Sequence, residues 1–218
     1  MVVRGAAASV WLAPHIHAAR DGDDLVVLDV DADAYFCLPQ AAANLVVEAQ
    51  GARLSGLAPD VVVALQKVGA LVEQGVARSG AARIVPSRDL AGRLAAPVRL
   101  SELWDLVLSI LEALIRFRWQ TLKQVIAVGC APEVEDLVVV ERRALVFRTL
   151  WPWSPIQGAC LFQALVLRIF LRRGGTRCDW VFGVRTWPFS AHCWLQSGDL
   201  VLNDLAERVS AYRPIMVT

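Results

Sequence analysis

Cys160, His192 and Asp204 have the side-chain types of a nucleophilic triad. Cys160 follows Gly158-Ala159, and we favour an apolar helix that begins close to Gly158, where the helix dipole and unpaired backbone N–H groups favour the thiolate. In the alternative, Ser154 caps the helix and Cys160 lies more than one turn inside it, where the dipole effect is weaker. His192 and Asp204 fall on two predicted strands joined by a turn at Ser197-Gly198-Asp199, and antiparallel pairing brings such side chains within reach. The imidazole would take the thiol proton, and the carboxylate would orient the imidazole and stabilise its protonated form.

Each of the three residues also has an ordinary explanation. A cysteine on an apolar helix is usually a small core residue, a histidine beside a tryptophan is usually half-buried, and an aspartate at a strand end is usually a turn or cap. The order helix, strand, strand favours the joint site. For an oxyanion hole, Gln157 and Gln163 are alternatives, and the Cys160 backbone N–H is the safer donor. Cys193 neighbours His192 on a strand, so we expect it to face away from the triad.

The helices and strands that position the triad are predicted in about the last 120 residues. Ser101 is expected to cap an amphipathic helix whose apolar stripe faces the core, a membrane-surface helix being the alternative. A second helix is expected over about 134–150, and the apolar helix carrying Cys160 should stop at Gly174-Gly175. Three strands are expected to follow, at Asp179 to Val184, Ala191 to Gln196 and Leu200 to Asn203.

The sequence pattern in the first part of the chain predicts a small α+β unit. Its candidate strands are Ile16 to Ala19, Leu25 to Asp29 and Ala34 to Leu38, separated by Asp- and Gly-containing turns. Its candidate helices are Gln40 to Ala49, a helix opening at Pro59-Asp60, and a short helix from Leu71 to Gln74. The Gly-, Pro- and Ser-containing stretch that follows predicts a linker at 81–97, between domains at 1–80 and 98–218.

Composition excludes several classes of protein. The chain has 218 residues, of which 56% are hydrophobic and 20% charged, and its net charge is +1, so neither disorder nor nucleic-acid binding is indicated. The arginine pairs at 142–143 and 172–173 are interpreted as solvated faces or helix C-terminal charges. Five irregularly spaced cysteines without a CxxC pair predict neither a disulfide framework nor a metal site. With no apolar segment long enough to span a bilayer, we expect a cytoplasmic protein.

The C-terminal motifs resemble a known family. The cysteine helix, with Cys160-Leu161-Phe162-Gln163-Ala164-Leu165 followed by Leu171-Arg172-Arg173-Gly174, resembles that of the B proteins of lasso-peptide maturation, which are transglutaminase-like cysteine peptidases. The motifs that follow also resemble that family, namely Phe182-Gly183-Val184, Phe189-Ser190-Ala191-His192-Cys193-Trp194-Leu195 and Asn203-Asp204. One departure is that Cys193 stands where the family usually has alanine. The resemblance implies that Cys160, His192 and Asp204 are nucleophile, base and orienting residue. It also implies removal of the leader from a ribosomally made precursor peptide.

The N-terminal unit resembles the winged-helix-like leader-recognition domain of peptide-modifying systems, with a three-stranded antiparallel sheet and three helices. Such a domain binds the leader as an added strand, so the edge at Ala34 to Leu38 would offer backbone hydrogen bonds and apolar side chains. The alternative is an ordinary winged-helix domain with a covered edge. The residues that this resemblance assigns to leader binding are Tyr35, Phe36, Cys37, Leu38, Val61 and Leu65.

Together these expectations describe an α+β chain in which a leader-recognition domain precedes a peptidase domain of helices packed on an antiparallel sheet. The resemblance implies an ATP-dependent, asparagine synthetase-like lasso cyclase as partner, which closes the ring on the freed core N-terminus. We expect no cofactor, no metal, no nucleic acid and no stable membrane insertion. Two rivals stay open, namely an acyl transferase with the same triad and a non-catalytic leader-binding module.

Overall fold

The computed structural model describes residues 9–48, 52–75, 84–94, 96–128, 136–154, 156 and 158–218. By contact, the chain divides into two compact units. The first comprises Met1–Gly80, Val184–Ser190 and Arg213–Met216, and the second comprises Ala81–Gly183, Ala191–Tyr212 and Val217–Thr218. Cys130 and Gln157 lie outside the described residues, as does part of the predicted linker.

The strands are β1 (Val10–Leu12), β2 (Ile16–Asp21), β3 (Asp24–Asp29), β4 (Ala34–Leu38), β5 (Val46–Glu48), β6 (Arg53–Ser55), β7 (Leu71–Val72), β8 (Asp179–Arg185), β9 (Ser190–Ser197), β10 (Leu200–Val201) and β11 (Arg213–Val217). The helices are α1 (Pro59–Lys67), α2 (Leu100–Trp119), α3 (Leu122–Ile126), α4 (Leu137–Leu150), α5 (Cys160–Arg173) and α6 (Ala206–Ser210), and a 3₁₀ turn spans Trp151–Trp153.

The first unit contains the three predicted strands as one antiparallel sheet in the order β2-β3-β4. Gly22 adopts a φ of 60° in the two-residue connection between β2 and β3, a conformation that glycine takes at little cost. The Asp29 carboxylate accepts hydrogen bonds from the backbone N–H groups of Asp31 and Ala32, and so fixes the turn into β4. The sequence prediction of these strands is confirmed.

Two predicted helices of this unit are wrong. Residues 39–44 form turns that lead into β5, with Gln40 at a φ of 56°, and Leu71–Val72 is the strand β7. These segments join a second sheet, in the order β5-β6-β1-β7. Pairing of Val46 and Val47 with β6 overrides the weak helical pattern, because β-branched residues favour a pleated surface. The described part of this unit therefore has one helix, α1, and more strands than expected.

Apolar side chains from both sheets and from α1 form the core of the first unit. Leu25 and Val27 of β3 are fully buried there, and Val61 and Leu65 of α1 are 8% and 1% exposed. Phe36 and Leu38 of β4 pack against the same cluster. The core therefore holds β4 by alternate side chains, which leaves Tyr35 and Cys37 on the opposite face of the strand.

The second unit is built around α5, which ends before Gly174 as predicted. Every residue from Ala164 to Leu171 is buried, so this helix is covered on all sides. The strands of this unit pair in the order β10-β9-β8, and Trp180 and Thr218 of the same unit exchange backbone hydrogen bonds of 2.9 and 3.0 Å. The strand predictions here are confirmed to within about two residues.

Helix α2 overturns the prediction of a core-facing apolar stripe. Helix α2 begins at Leu100, so Ser101 lies inside it rather than at its cap. The seven stripe residues are 37–63% exposed, namely Leu103, Trp104, Val107, Leu108, Leu111, Leu114 and Ile115. The buried residues of α2 are instead Glu102, Leu106, Ser109 and Ala113. Its burial is thus inverted with respect to an ordinary amphipathic helix.

Arginines on α4 and α5 explain the inversion. Arg142 binds Glu102 at 2.5 Å and Arg143 binds Asp105 at 3.1 Å, while Glu112 accepts from both Arg172 and Arg173. The arginine pairs therefore bind the acidic face of α2, and the interpretation of them as solvated faces is wrong. Arg172 and Arg173 do lie in the last turn of α5, as the alternative of helix C-terminal charges predicts. Hydrogen-bonded ion pairs satisfy the polar face of α2 against the protein, so its apolar face is left outward.

Candidate active site

Cys160 is the first residue of α5, with Ala159 in the capping position. This agrees with the prediction of a helix that begins close to Gly158. The thiol is half-buried, and its pKa is lowered to about 4. A hydrogen bond with the Cys193 side chain is the largest cause, followed by one with His192, and both outweigh the opposing effect of burial. The thiolate, which is the nucleophilic form of cysteine, is therefore the resting state at neutral pH.

His192 lies between Cys160 and Asp204. Its Nε2 is 2.6 Å from the Asp204 Oδ2, so the other ring nitrogen is left for the Cys160 thiol. The hydrogen bond with Asp204, followed by the one with Cys160, raises the pKa of His192 to about 9. Around neutral pH the pair is consequently a thiolate beside an imidazolium.

The Asp204 carboxylate stays charged although it is largely buried. Burial raises its pKa, but hydrogen bonds from His192 and from the Leu205 backbone N–H outweigh burial and leave the pKa below its usual range. Arg208, 3.8 Å away, acts in the same direction. A charged carboxylate at this position stabilises the imidazolium and fixes the ring.

Aromatic side chains hold the imidazole in place. The His192 ring stacks on Trp194 at 6.2 Å and lies 5.3 Å from Tyr212, measured between ring centroids. Gly183 makes this packing possible, because a Cβ there would stand 2.8 Å from the Trp194 ring and 2.9 Å from the Tyr212 Cβ. The Phe182-Gly183-Val184 motif thus has a direct packing role behind the histidine.

The β9–β10 hairpin brings Asp204 back to His192. Gly198 has a φ of 58° in the connection, and Leu200 pairs with Ser197. Beyond β10, Leu202 N–H donates to the Leu195 carbonyl and Asn203 Oδ1 accepts from Leu195 N–H. Asp204 therefore lies three residues past the end of β10, whereas the sequence predicts it at the end of that strand.

Cys193 corrects a prediction. It was expected to face away from the triad, but its thiol and its backbone are both hydrogen-bonded to Cys160. The contact with Cys160 is also the largest cause of the raised pKa of Cys193. Strand alternation fixes only the direction of a side chain relative to its own sheet. Alternation does not say where the first turn of a helix from elsewhere in the chain lies, so no sequence pattern indicates this contact.

A cavity of about 440 Å³ opens beside the carboxylate of Asp204. Its wall includes Gln163, one turn after Cys160 on α5, as well as Trp151 and Arg208. Gln163 thus lies at this cavity, whereas Gln157, the other glutamine considered for an oxyanion hole, lies outside the described residues. The helix start offers the backbone N–H of Cys160 as a donor, because first-turn N–H groups have no intrahelical partner.

The residues predicted to bind a leader all lie in the first unit. Tyr35, Phe36, Cys37 and Leu38 are consecutive on β4, and all four are partly exposed. Val61 and Leu65 are core residues, so in this structure they support the domain and do not offer surface to a peptide.

The connection between β8 and β9 contacts the β2–β4 sheet. Asp21 accepts hydrogen bonds from the backbone and hydroxyl of Thr186, and Asp24 accepts one of 2.7 Å from the Trp187 indole. The Phe189 ring lies 5.9 Å from the Tyr35 ring. These residues occupy the β8–β9 connection, three to six positions before His192 in the sequence.

Within the described residues, no group of three or more His, Cys, Asp or Glu side chains is arranged to hold a metal ion. Among the same residues, no helix has the length and apolar character needed to cross a bilayer.

A buried thiol–imidazole–carboxylate array on a helix start and an antiparallel sheet defines the class of cysteine-triad enzymes. A family model described as the transglutaminase-like superfamily matches residues 105–217, more than half of the chain, and the chain belongs to that superfamily. Members are typically cysteine-triad enzymes with peptidase or acyltransferase-like activity. No curated protein and no solved structure matches the chain.

Proposed function

We propose that this chain is a cysteine peptidase that binds the leader of a ribosomally made lasso precursor peptide and removes it. The observation that carries the proposal is the continuous hydrogen-bonded array of Cys160, His192 and Asp204, with the thiol pKa lowered to about 4 and the imidazole pKa raised to about 9. Membership of the transglutaminase-like superfamily supports a covalent cysteine mechanism.

The reaction follows from the protonation states. The Cys160 thiolate attacks the scissile carbonyl carbon, and the Cys160 backbone N–H stabilises the oxyanion that forms. The His192 imidazolium gives its proton to the leaving amine as the C–N bond breaks, which leaves a thioester on Cys160. Neutral His192 then takes a proton from water, whose oxygen attacks the thioester and restores the thiolate. Asp204 orients the ring and stabilises its charge in the first half-reaction.

Leader capture is proposed at the β4 edge of the first unit. β4 is the last strand in the order β2-β3-β4, so one row of its backbone groups faces away from β3. An extended leader would pair with that row, and its alternate side chains would meet Tyr35 and Cys37. Phe36 and Leu38 hold the strand to the core from the other face.

The partner implied by the resemblance is an ATP-dependent, asparagine synthetase-like cyclase. Hydrolysis at the leader–core junction produces the free α-amine that ring closure consumes. Leader removal by the proposed peptidase and ring closure by the cyclase are therefore consecutive reactions, and the free α-amine is the product of the first and the substrate of the second.

The test is incubation of the purified full chain with the precursor peptide encoded beside it, followed by mass spectrometry. We expect free leader and free core from the wild type and intact precursor with Cys160→Ala. Cys178→Ala, which changes a buried cysteine outside the array, is the matched control and should cleave normally. Normal cleavage by Cys160→Ala would refute the proposal.

The same experiment separates the two rival functions. With a primary amine in excess, an acyl transferase would yield an amine adduct of the leader in place of the free acid. A non-catalytic binding module would retain the leader while releasing none, for the wild type and for Cys160→Ala alike. Fluorescence anisotropy of a labelled leader, measured in parallel, reports binding independently of cleavage.

A further inference from the structure

Two cysteine thiols meet at the candidate active site. Cys160 begins α5, Cys193 follows His192 on β9, and the two side chains are hydrogen-bonded to each other. Neither is in a disulfide. Their exposures differ, since Cys160 is half-buried and therefore reachable by a small solute, whereas Cys193 is 2% exposed. One thiol is thus open to reagents and the other is packed directly behind it.

We propose that Cys160 and Cys193 form a reversible disulfide when the protein meets a hydroperoxide, so that this pair is an oxidative modification site. A disulfide can form without movement of the backbone only where the two cysteine side chains already lie close together. The contact between the Cys160 and Cys193 sulfurs meets this requirement. Bond formation rests only on this geometry and on thiol chemistry. Its effect on catalysis rests on the proposed function.

The reaction has two balanced steps. The Cys160 thiolate attacks one oxygen of the peroxide, the O–O bond breaks, and the released hydroxide takes a proton to become water, which leaves a sulfenic acid on Cys160. The Cys193 sulfur then attacks the Cys160 sulfur, and the sulfenic hydroxyl leaves with the Cys193 proton as a second water. The peroxide is reduced by two electrons, and the two thiols are oxidised to one disulfide.

Cys193 is suited to the resolving step for two structural reasons. The buried Trp180 indole N–H has no conventional hydrogen-bond partner within the described chain, and it lies toward the Cys193 sulfur, where it lowers the thiol pKa. The Cys160 thiolate is the largest cause that raises the pKa of Cys193. Conversion of that thiolate into a neutral sulfenic acid removes this cause, although burial still raises the pKa of Cys193, so Cys193 becomes a better nucleophile than it is beside the thiolate.

The consequence is protection of the reactive thiol. A disulfide withdraws Cys160 from attack on a carbonyl and also from further oxidation to the sulfinic acid, which thiols do not reverse. Reduction by a dithiol returns both cysteines. The pair would therefore pause leader removal under oxidation and restore it afterwards.

The test treats the full-length wild type with hydrogen peroxide, blocks remaining thiols, and maps peptides without reduction. We expect a peptide linked through Cys160 and Cys193, a mass lower by two hydrogens, and loss of both signatures with dithiothreitol. Cys178→Ala, which removes another buried cysteine, should form the same linkage. Cys193→Ala should instead accumulate a sulfenic acid on Cys160, trapped by dimedone, and then sulfinic acid that dithiothreitol does not reverse.

The linked peptide decides the matter without any activity assay. Absence of the Cys160–Cys193 linkage in the oxidised wild type overturns the proposal, whether Cys160 is found unmodified or as sulfinic acid. Leader release by the reduced wild type is measured separately, so a failed disulfide and a failed peptidase are distinguishable. If the linkage forms and the precursor is never cleaved, the modification site stands and the proposed function falls.

Discussion

The Nε2 of His192 lies 2.6 Å from the Asp204 Oδ2, and the same ring is hydrogen-bonded to the Cys160 thiol. One imidazole therefore connects the carboxylate to the sulfur. Because the pKa of Cys160 is about 4 and that of His192 about 9, the proton rests on the ring throughout the neutral range. The chemistry of the site depends on this arrangement, and it can be measured without knowing the substrate.

The alkylation rate of Cys160 should report its lowered pKa. When Cys160 is labelled with iodoacetamide and followed by peptide mapping, we expect its alkylation rate in the wild type to rise with pH, with a midpoint near pH 4. His192→Ala removes one of the two main causes, so the midpoint should move up by roughly 1–3 units.

Asp204→Asn should lower peptidase activity by a factor on the order of 10²–10⁴, because the ring loses its orienting carboxylate.

Cys37 is an internal reference in the same digest. Burial, followed by the carboxylates of Asp24 and Asp21, raises the pKa of the Cys37 thiol, so its labelling should begin only in alkaline solution. If Cys160 and Cys37 were labelled with the same pH midpoint, the thiolate assignment would be wrong.

The pH dependence of stability should differ between the wild type and Cys160→Ala. Folded, the Cys160–His192 pair holds one proton from pH about 4 to about 9. Unfolded, it holds two protons below about pH 6.5 and one between about 6.5 and 8.5. Stability rises with pH where the unfolded state binds more protons. The pair therefore adds stability from about pH 4 to 6.5 and nothing further up to about pH 8.5.

In Cys160→Ala, His192 loses its thiolate partner and keeps only the Asp204 carboxylate. A histidine with a raised folded pKa contributes fully below its unfolded pKa, and that contribution is lost as the pH rises through the folded value. The variant should thus lose stability above about pH 6.5, where the wild type is flat. Asp204 has a lowered pKa, and the stability it contributes is lost on acidification in both proteins, so it largely cancels in the comparison. Urea titrations across the pH range measure the difference, and parallel curves would count against the coupled pair.

The sequence predicted the strands and helices that carry the array because their patterns are strong and local. A buried helix ended by two glycines and a two-residue hairpin at Gly198 need no distant partner to be recognised. The Cys160–Cys193 contact joins remote segments, and the strand β7 depends on pairing with β1, while the strand β5 depends on pairing with the neighbouring strand β6. For such short segments, tertiary pairing overrides local propensity.

Helix α2 shows the limit of hydrophobic periodicity. Its pattern correctly predicts a helix with two unlike faces, and the assignment of the apolar face to the core is reasonable for an isolated stripe. The arginines that bind the other face are in the sequence too, as Arg142-Arg143 on α4 and Arg172-Arg173 on α5. They lie 38 to 61 positions away from their partners on α2, too far apart for local periodicity to connect them. Only the fold brings them onto Glu102, Asp105 and Glu112.

Leader binding should depend on the outer face of β4. Cys37→Glu adds a charge beside the edge that we propose for strand addition, so the Kd for a labelled leader should rise at least about tenfold. Arg20→Glu on β2, at the other edge of the same sheet, is the matched control and should bind the leader like the wild type. Thermal unfolding of both variants checks that the first unit is intact. Equal weakening by the two substitutions would remove β4 from the proposal.

Arg143 should be the most important of the arginines that hold α2. Its guanidinium binds Asp105 at 3.1 Å and the Phe170 carbonyl at 2.7 Å, lies 4.3 Å from the Phe170 ring centroid, and belongs to a residue that is 8% exposed. Arg143→Ala removes a hydrogen-bond donor from the buried Phe170 carbonyl and leaves the Asp105 carboxylate without its arginine partner. It should therefore lower the free energy of unfolding by about 3 kcal/mol.

Arg116→Ala is the comparison, because Arg116 makes a partly exposed i,i+4 pair with Glu112, and Glu112 keeps Arg172 and Arg173 as partners when Arg116 is removed. An i,i+4 helix pair of this kind contributes under about 1 kcal/mol. Adding Asp105→Ala to Arg143→Ala should recover part of the loss, since the unpaired carboxylate is then gone. Chemical denaturation of the four proteins measures these differences. Equal losses for Arg143→Ala and Arg116→Ala would mean that α2 is held by something other than its buried acidic face.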